Sequence, residues 1–373
     1  MGGFVDVDGA VADGARIAHF GDAFREQRRL AAGAALAPLG DRRVIEVAGP
    51  ERLSWLDSIT SQAVGRLAPG ESTELLVLDP QGRVEHAAGV LDDGTATWLI
   101  ADADDAEALA GWLTRMKFRT QATIELRPDL SLVGFVDGGE AAATASTAAF
   151  APNGAPLVWA DPWQRISAGG HQYAEVAQHP AADYAWRVAV VTDDAADALA
   201  RSTGAEALAG LLAAEALRIA AWRPRWATEV DERSLPHESD WIRSAVHLSK
   251  GCYRGQETVA KVHNLGHPPR RLAALQLDGS DAVLPEPGAS VFAGEDEVGH
   301  VTSVARHFED GPIALAILSR RAPTGDLTVR AEGVDIAASQ QVIVPADAGA
   351  TADIPRITRL SRRPTAQDPR AQV

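Results

Sequence analysis

The sequence predicts an α+β protein that closes with a small C-terminal β-barrel, and two stretches carry that expectation. From 44 to 130, short alternating strands come in pairs and lead into one amphipathic helix, the rhythm of antiparallel pairs with a helix laid across them. From Arg271 to about 345, six short strands are punctuated by turn residues, which is the spacing of a small barrel. A chain of 373 residues also exceeds what one hydrophobic core usually organises, so two or three domains are expected.

In the first unit VIEVAG (44–49) alternates as a half-buried strand. Pro50 opens a helix over PERLSWLDSITSQ, with Leu53, Leu56 and Ile59 at helical spacing. STELLVLD, RVEHAAGVL and TATWLIAD read as strands, joined by the turn-rich DPQGR (79–83) and DDGT (92–95). A helix is expected over about 103–118, with acids in its first turn and bases in its last, as its dipole prefers. TIELRP returns as a strand. After SLVGFVD (131–137), GGEAAATASTAAF is small and featureless and reads as an exposed loop on a domain edge. WRVAVVT (186–192) is a strand, followed by helices over DDAADALARS and GAEALAGLLAAEALRIAAW. The second is apolar nearly all round and should be buried, and Pro224 ends it. Residues 224–249 show little periodicity and contain RSLPHESDW, an irregular segment of the kind that lines sites. The Pro-, Ala-, Asp- and Arg-rich stretch 346–373 reads as a disordered tail.

Composition narrows the function. No run approaches the roughly 18 apolar residues of a membrane span, and the acid-bearing start does not read as a secretory signal. One cysteine cannot form an internal disulfide, so a reducing cytoplasm is the expected setting. The formal charge of −16 opposes direct, stable binding to nucleic acid. Against that background, 243–271 holds Arg243, Lys250, Arg254, Lys261, Arg270 and Arg271 with Glu257 as its single acid. The stretch reads either as a solvated basic loop or as a cradle for a multiply anionic small ligand.

HLSKGCYRGQETVAKVHN (247–264) is the most unusual segment. Gly251 and Gly255 bracket Cys252, which permits tight turns and close approach to a ligand. QETVAKVHN starts a helix, so Cys252 stands just before a positive helix end, between Lys250 and Arg254; all three favour a thiolate. The alternative is an inert buried thiol, the usual state of a free cysteine. One thiol cannot hold an iron–sulfur cluster alone. His263 and His267 have i, i+4 spacing, but Gly266 and Pro268 argue against a helix across them, so no bound metal is expected.

KGCYRGQE (250–257) resembles the signature of the YgfZ-type folate-binding proteins, with Gly251, Cys252, Gly255, Gln256 and Glu257 on its fixed positions. The likeness extends to VAGPERLSWLDSITSQ, LDPQGRVEHAAGVLDD, EVGHVTSVA and PIALAIL, over roughly 15 to 345. These landmarks are shared with the aminomethyltransferase (T-protein) of the glycine cleavage system. The resemblance implies three domains in a ring around a channel that binds a tetrahydrofolate: a discontinuous central α+β domain (1–43 and 131–267), an α+β domain (44–130) and a C-terminal barrel (268–345). It also implies work in iron–sulfur cluster assembly or repair, and through it tRNA modification, with cluster-assembly or client proteins as partners. Cys252, Lys250 and Asp92 are then the expected working groups. The folate is expected to touch Asp92, Asp93, Gly251, Arg254, Gly255, Gln256, Glu257, Arg271 and Trp222. Asp92 and Asp93 fit the T-protein segment G-x-x-D-D, although an ordinary hairpin turn would look the same. In the landmark L-R-x-E-A-G, Ala220 takes the place of the glutamate that grips the pterin, so the pterin's donors need another acceptor or water. Trp222 and Trp226 are candidates to stack a flat ring. Two other readings stay open: a folate-dependent one-carbon transferase using Asp92 as its acid, and a scaffold with a vestigial ligand site.

Overall fold

The computed structural model describes residues 2–280 and 282–352. The chain begins with α1 (Gly2–Val5), β1 (Val11–Asp13), β2 (Arg16–His19), α2 (Ala23–Ala31) and β3 (Ala37–Pro38). Next come β4 (Arg42–Ala48), α3 (Arg52–Ile59), β5 (Ser72–Leu78), β6 (Val84–Asp92), β7 (Ala96–Asp102), α4 (Ala106–Met116) and β8 (Thr123–Leu126). They are followed by β9 (Leu130–Val136), α5 (Glu140–Ala148), β10 (Val158–Ala160), β11 (Trp186–Thr192), α6 (Asp193–Ser202), α7 (Leu211–Ala220), α8 (Trp226–Glu229) and α9 (Gln256–Leu265). The described chain closes with β12 (Arg270–Leu277), β13 (Ser290–Ala293), β14 (Asp296–His307), β15 (Gly311–Ser319), β16 (Asp326–Ala331) and β17 (Val334–Val342).

The residues 42–126 form an antiparallel sheet ordered β5-β6-β7-β4-β8. One face carries Ile45, Val47, Leu75, Val77, Val90 and Leu99 against Leu56 of α3 and Leu109 and Leu113 of α4. The other face carries Val44, Leu76, Leu78, Leu91, Trp98 and Ile100 into the largest core, shared with β9, β11 and α7. With both faces covered, β7 is buried at every residue, which is why ATWLIAD reads as apolar without alternation. A second sheet, ordered β10-β11-β9-β3, joins a strand from before residue 42 to strands from after 130. β12 to β17 close the expected six-stranded barrel around Ala273, Leu275, Val301, Leu318, Val329 and Ile336. Register shifts at Val291/Phe292 and Val301/Ser303 supply the bends that closure needs.

Two segments differ from expectation. Residues 140–148 are helix rather than loop, because alanine is the best helix former and Ala141 and Ala145 share one face that buries against the sheet. The long apolar helix starts at Leu211, not near 204. Residues 205–210 are instead drawn to β3's approach: the Leu36 N–H donates to Ala207 O and the Ala209 N–H to Leu36 O, both at 2.9 Å. A side chain at Gly210 would collide with the Ala18 carbonyl. Leu212 on this helix is half exposed, so its burial is one-sided. Residues 346–352 lie against the end of α9, where Thr351 N–H donates to His263 O at 3.0 Å. The remainder of the stretch expected to be a tail lies outside the described residues.

Arg218 ties α7 to the barrel. Its guanidinium donates to Glu215 (2.8 Å), Glu229 (3.1 Å), the Arg223 carbonyl (2.6 Å) and Ser303 Oγ (2.7 Å), and Ser303 and Thr302 donate on to Glu229. Removing one member of a buried charge pair strands the other. Arg218→Met should therefore lower unfolding free energy by about 3–5 kcal/mol in urea titrations. The double change Arg218→Met with Glu229→Met should recover only the part of that loss due to the stranded Glu229 charge, because Thr228, Thr302, Ser303 and the Arg225 N–H then lose their acceptor.

Candidate functional site

Where the first sheet, the second sheet and α7 meet, a cleft of about 780 Å³, counting its open mouth, is lined by apolar walls and paired charges. The walls are aromatic: Trp159, Tyr184, Trp186, Trp226 and Trp241. The charges are the carboxylates of Asp41, Glu74, Asp102, Asp161 and Glu215 and the guanidiniums of Arg42, Arg218, Arg223 and Arg225. Tyr184 also lines a second cavity, of about 770 Å³ with its open mouth, which shares Pro180 and Ala220 with a third.

Each guanidinium is spoken for. Arg223 pairs with Glu74 (2.6 Å) and Asp161 (3.0 Å), and Arg225 with Asp41 and Asp102 (2.6 Å each) and Glu215 (3.1 Å). Arg42 pairs with Asp102 at 2.9 Å. Burial and the flanking arginines act oppositely on Glu215, and the arginines win, drawing its carboxyl down to about 2. The carboxylates are not all used up. Glu74 Oε2 accepts from Arg223 and from Trp241 Nε1 (3.0 Å), and the Ser244 hydroxyl beside this carboxylate also favours its ionised form, whereas Glu74 Oε1 and Asp41 Oδ1 are buried with no hydrogen bond of good geometry among the described residues. Burial pushes the Glu74 carboxyl up. Buried acceptors without donors are costly, so a donor that reached these oxygens would be held.

The Cys252 segment lies elsewhere, and two landmarks of the sequence meet in it. A Cβ at Gly255, whose φ is +83°, would sit 2.6 Å from the Asp79 carbonyl oxygen and 3.0 Å from Gly82. The DPQGR turn and the KGCYRGQE loop thus touch backbone to backbone, and only glycine allows it. Lys250 Nζ donates to the carbonyls of Asp57 (2.5 Å), Thr60 (3.0 Å) and Gln62 (2.6 Å), closing the end of α3. Gln256 Nε2 reaches back to the carbonyls of Lys250 (3.2 Å) and Gly251 (3.4 Å). Arg254 pairs with Glu85 at 2.6 Å, and Tyr253 is buried. The loop is pinned on both sides, and Cys252 between the pins is exposed. Both flanking cations therefore have partners of their own. A side chain at Gly251 would meet nothing, and nothing in the structure explains that glycine.

The other expected contacts are dispersed. Asp92 sits in the β6–β7 hairpin, 1% exposed, with each oxygen taken twice: Arg52 (2.7 Å) and Gly94 N–H (2.8 Å) on Oδ1, Arg52 (2.9 Å) and Thr97 (2.6 Å) on Oδ2. Asp93 accepts from the N–H groups of Thr95 and Ala96, from Trp98 and from Asn153. Arg271 projects into the barrel end and donates to Ala322 O at 3.2 Å, its other nitrogens without a partner among the described residues, while Glu257 is exposed in the first turn of α9. Trp222 borders the third cavity with Ala220, not the large cleft. Of the basic stretch, Arg243 is buried on Gln172 (2.6 Å) and Arg270 pairs with Asp231 and Glu238. α9 ends at Leu265, before His267, and no cluster of three or more His, Cys, Asp or Glu could hold a metal among the described residues. Sequence reasoning passed over Asp41, Glu74 and Arg223. Their signal was a lone acid in the apolar strand STELLVL and two arginines around Pro224.

In comparisons with known proteins, residues 270–345 match the glycine cleavage T-protein C-terminal barrel domain. A chloroplastic protein of Arabidopsis thaliana that carries a transferase name is 34% identical over 98 residues, 25% of this chain and 21% of that protein. The chain thus matches about a fifth of that relative's length. The glycine cleavage system aminomethyltransferase T from Bartonella henselae superposes with a TM-score of 0.66 at 18% identity, over 88% of this chain and 90% of that one. The chain therefore has the T-protein fold, barrel included.

The irregular segment holds a strained acid. Asp240 is fully buried with φ +56°, and among the described residues its oxygens accept only the N–H groups of Tyr173 (2.7 Å) and Ala174 (3.4 Å). Burial pushes its carboxyl up to about 7. A folded-state value above the unfolded one gives stability that is full below about pH 4 and is lost as pH rises towards 7. Asparagine tolerates the left-handed backbone and keeps one acceptor. Asp240→Asn should accordingly flatten the stability profile between pH 4 and 8, and at pH 8 should unfold at higher denaturant than the parent.

Proposed function

We propose that the chain is a folate-binding accessory protein of iron–sulfur cluster assembly or repair, acting through it on tRNA modification, with the pterin in the aromatic cleft and Cys252 as the working thiol. The observation that carries the reading is the pair of unspent buried oxygens, Glu74 Oε1 and Asp41 Oδ1, in a cleft walled by four tryptophans and a tyrosine. A pterin is flat and offers ring and amino N–H donors along one edge. Aromatic walls accept its faces and unpaired carboxylate oxygens its edge. These two acids supply the acceptor that Ala220 lacks. With five carboxylates against four guanidiniums, the cleft favours the neutral ring over the anionic glutamate tail, which is better left towards solvent.

When bound, a reduced folate supplies a ring that can carry a one-carbon unit or electrons. The chain's own groups orient that ring, exclude water from its faces and hold its donors. Cys252 is outside the cleft, exposed on a loop fixed by Lys250, Gln256 and Arg254, so it is available to a partner protein or to the iron and sulfide of a cluster. The cluster is substrate here, not a resident cofactor. The transferase reading needs an acid free to take a proton, and both Asp92 oxygens already accept two hydrogen bonds each. A reducing, cytoplasmic setting belongs to the same proposal; no described helix is long and apolar enough to cross a membrane.

Tetrahydrofolate should quench tryptophan emission on titration, and p-aminobenzoylglutamate, which lacks the pterin, should not. Glu74→Gln turns an acceptor towards a donor and should weaken binding by at least about tenfold, roughly one lost charged hydrogen bond. Because burial raises the Glu74 carboxyl and the ligand needs it ionised, affinity should fall as pH drops. Equal quenching by p-aminobenzoylglutamate would defeat the pterin assignment. In cells lacking the native protein, Cys252→Ser should fold normally yet fail to restore iron–sulfur enzyme activity; full restoration would remove the thiol from the mechanism.

A further inference from the structure

The sheet of residues 42–126 is covered at one edge and open at the other. At the β5 edge, Trp159 Nε1–H donates to Thr73 O (2.6 Å) and Ala160 N–H to Ser72 Oγ (3.2 Å), so the second sheet closes it. The opposite edge is β8, whose residues are exposed apart from half-buried Ile124. The Arg127 N–H donates to Val44 O at 3.0 Å, and the register pairs Leu126 with Ile45 and Ile124 with Val47. Antiparallel alternation then turns the peptide groups of Thr123 and Glu125 towards β4 and those of Ile124 and Leu126 outward. No hydrogen bond among the described residues reaches the outward groups.

Beside this edge, at the end of α4, stands Phe118. It is 83% exposed and has φ +42°, a conformation that strains a bulky side chain with no burial to offset it in the isolated chain. Arg115 and Arg119 flank it, both exposed, and Lys117 is held by Ala122 O at 3.0 Å. On a chain of formal charge −16, residues 115–119 carry three cations and no acid. Leu126 adds a further exposed apolar side chain on the strand itself, 37% exposed.

We propose that this edge is a docking site for a protein partner presenting an extended segment of alternating acidic and apolar residues. The segment adds a strand through the free peptide groups of Ile124 and Leu126, sets an apolar side chain against Phe118 and directs its carboxylates to Arg115 and Arg119. Main-chain pairing supplies affinity, and the side chains supply choice of partner. A single-stranded nucleic acid could use the cations and the ring but has no use for strand peptide groups, and the overall charge repels it. The site is separate from the cleft and does not depend on the folate reading.

The probe is a capped peptide of alternating glutamate and valine, added to the full chain and followed by amide hydrogen exchange and fluorescence anisotropy. It should slow exchange at Ile124 and Leu126 while leaving the already bonded amides of Thr123 and Glu125 unchanged. Phe118→Ala should weaken it about tenfold, the scale of an exposed anchor at an interface, and Arg115→Glu with Arg119→Glu should abolish it. Phe118→Gly, which relieves the left-handed strain, should melt no lower than the parent and weaken peptide binding to the same extent, showing that the loss is not one of folding. Three results would overturn the proposal: unchanged exchange at Ile124 and Leu126 with millimolar peptide, equal binding of the lysine-for-glutamate peptide, or a single-stranded DNA that binds more tightly and competes with the peptide. Protection of both amides in the free chain together with a dimer in sedimentation would overturn it as well, assigning the edge to a second copy.

Discussion

Everything central in this molecule is arranged around guanidinium groups that have been taken out of water. Arg218, Arg223 and Arg225 enter from one turn of chain, and their partners come from every layer: Glu74 from β5, Asp102 from β7, Asp161 after β10, Glu215 from α7 and Glu229 with Ser303 at the barrel. A buried charge is tolerable only when paired and hydrogen-bonded. That requirement fixes where the two sheets, α7 and the barrel stand relative to one another more tightly than apolar contact alone can. The backbone accepts strain to meet it. Trp222 takes φ +58° directly after α7, where glycine is the usual residue, and the Arg223 N–H closes the helix on Arg218 O at 3.1 Å. That swing is what aims Arg223 and Arg225 into the cleft.

The same constraint creates the site. The four guanidiniums point their donors at the other oxygens of the five carboxylates and at backbone carbonyls, and Glu74 Oε1 and Asp41 Oδ1 are left over. Both belong to residues that line a space already walled by indole rings, and the oxygens themselves are sealed from solvent. In this account recognition arises from what the scaffold's own pairing leaves over, rather than from an added binding residue. It also explains how the chain can lack a glutamate at 220 and still offer acceptors to a donor-rich ring. Cys252 follows a different logic, since the lysine and arginine beside it in sequence serve to fix its loop: Lys250 closes the end of α3, and Arg254 meets Glu85.

Much of the fold was legible because it rests on local pattern. The strand pairs of 44–126, the amphipathic α4 and the six barrel strands follow from alternation, helical spacing and turn residues. The helix at 140–148 was missed because alanines with no apolar contrast give no periodic signal, although Ala141 and Ala145 do share a buried face. The start of α7 was misplaced because Leu36, more than 170 residues away, claims 207–209. The site was half legible. The Cys252 segment announces itself by its two glycines, and the structure adds that Gly255 is required by contact with Asp79 and Gly82. The cleft acids did not, because Asp41, Glu74 and Asp161 lie far apart in sequence and become neighbours only through Arg223 and Arg225. Asp92 and Asp93 entered as ligand groups through the T-protein resemblance, and in the structure their oxygens accept from their own hairpin, from Arg52 and from Asn153.

The central claim is that the unspent oxygens of the buried ion lattice recognise a pterin. A crystal structure with a stable reduced folate such as 5-formyltetrahydrofolate tests it most directly. The account predicts the ring between the tryptophan walls of the cleft, with a pterin N–H within hydrogen-bond distance of Glu74 Oε1 or Asp41 Oδ1 and the glutamate tail towards solvent. A pterin bound against Asp92, at the Cys252 loop or in the Ala220 cavity, with both cleft oxygens still unpartnered, would contradict it.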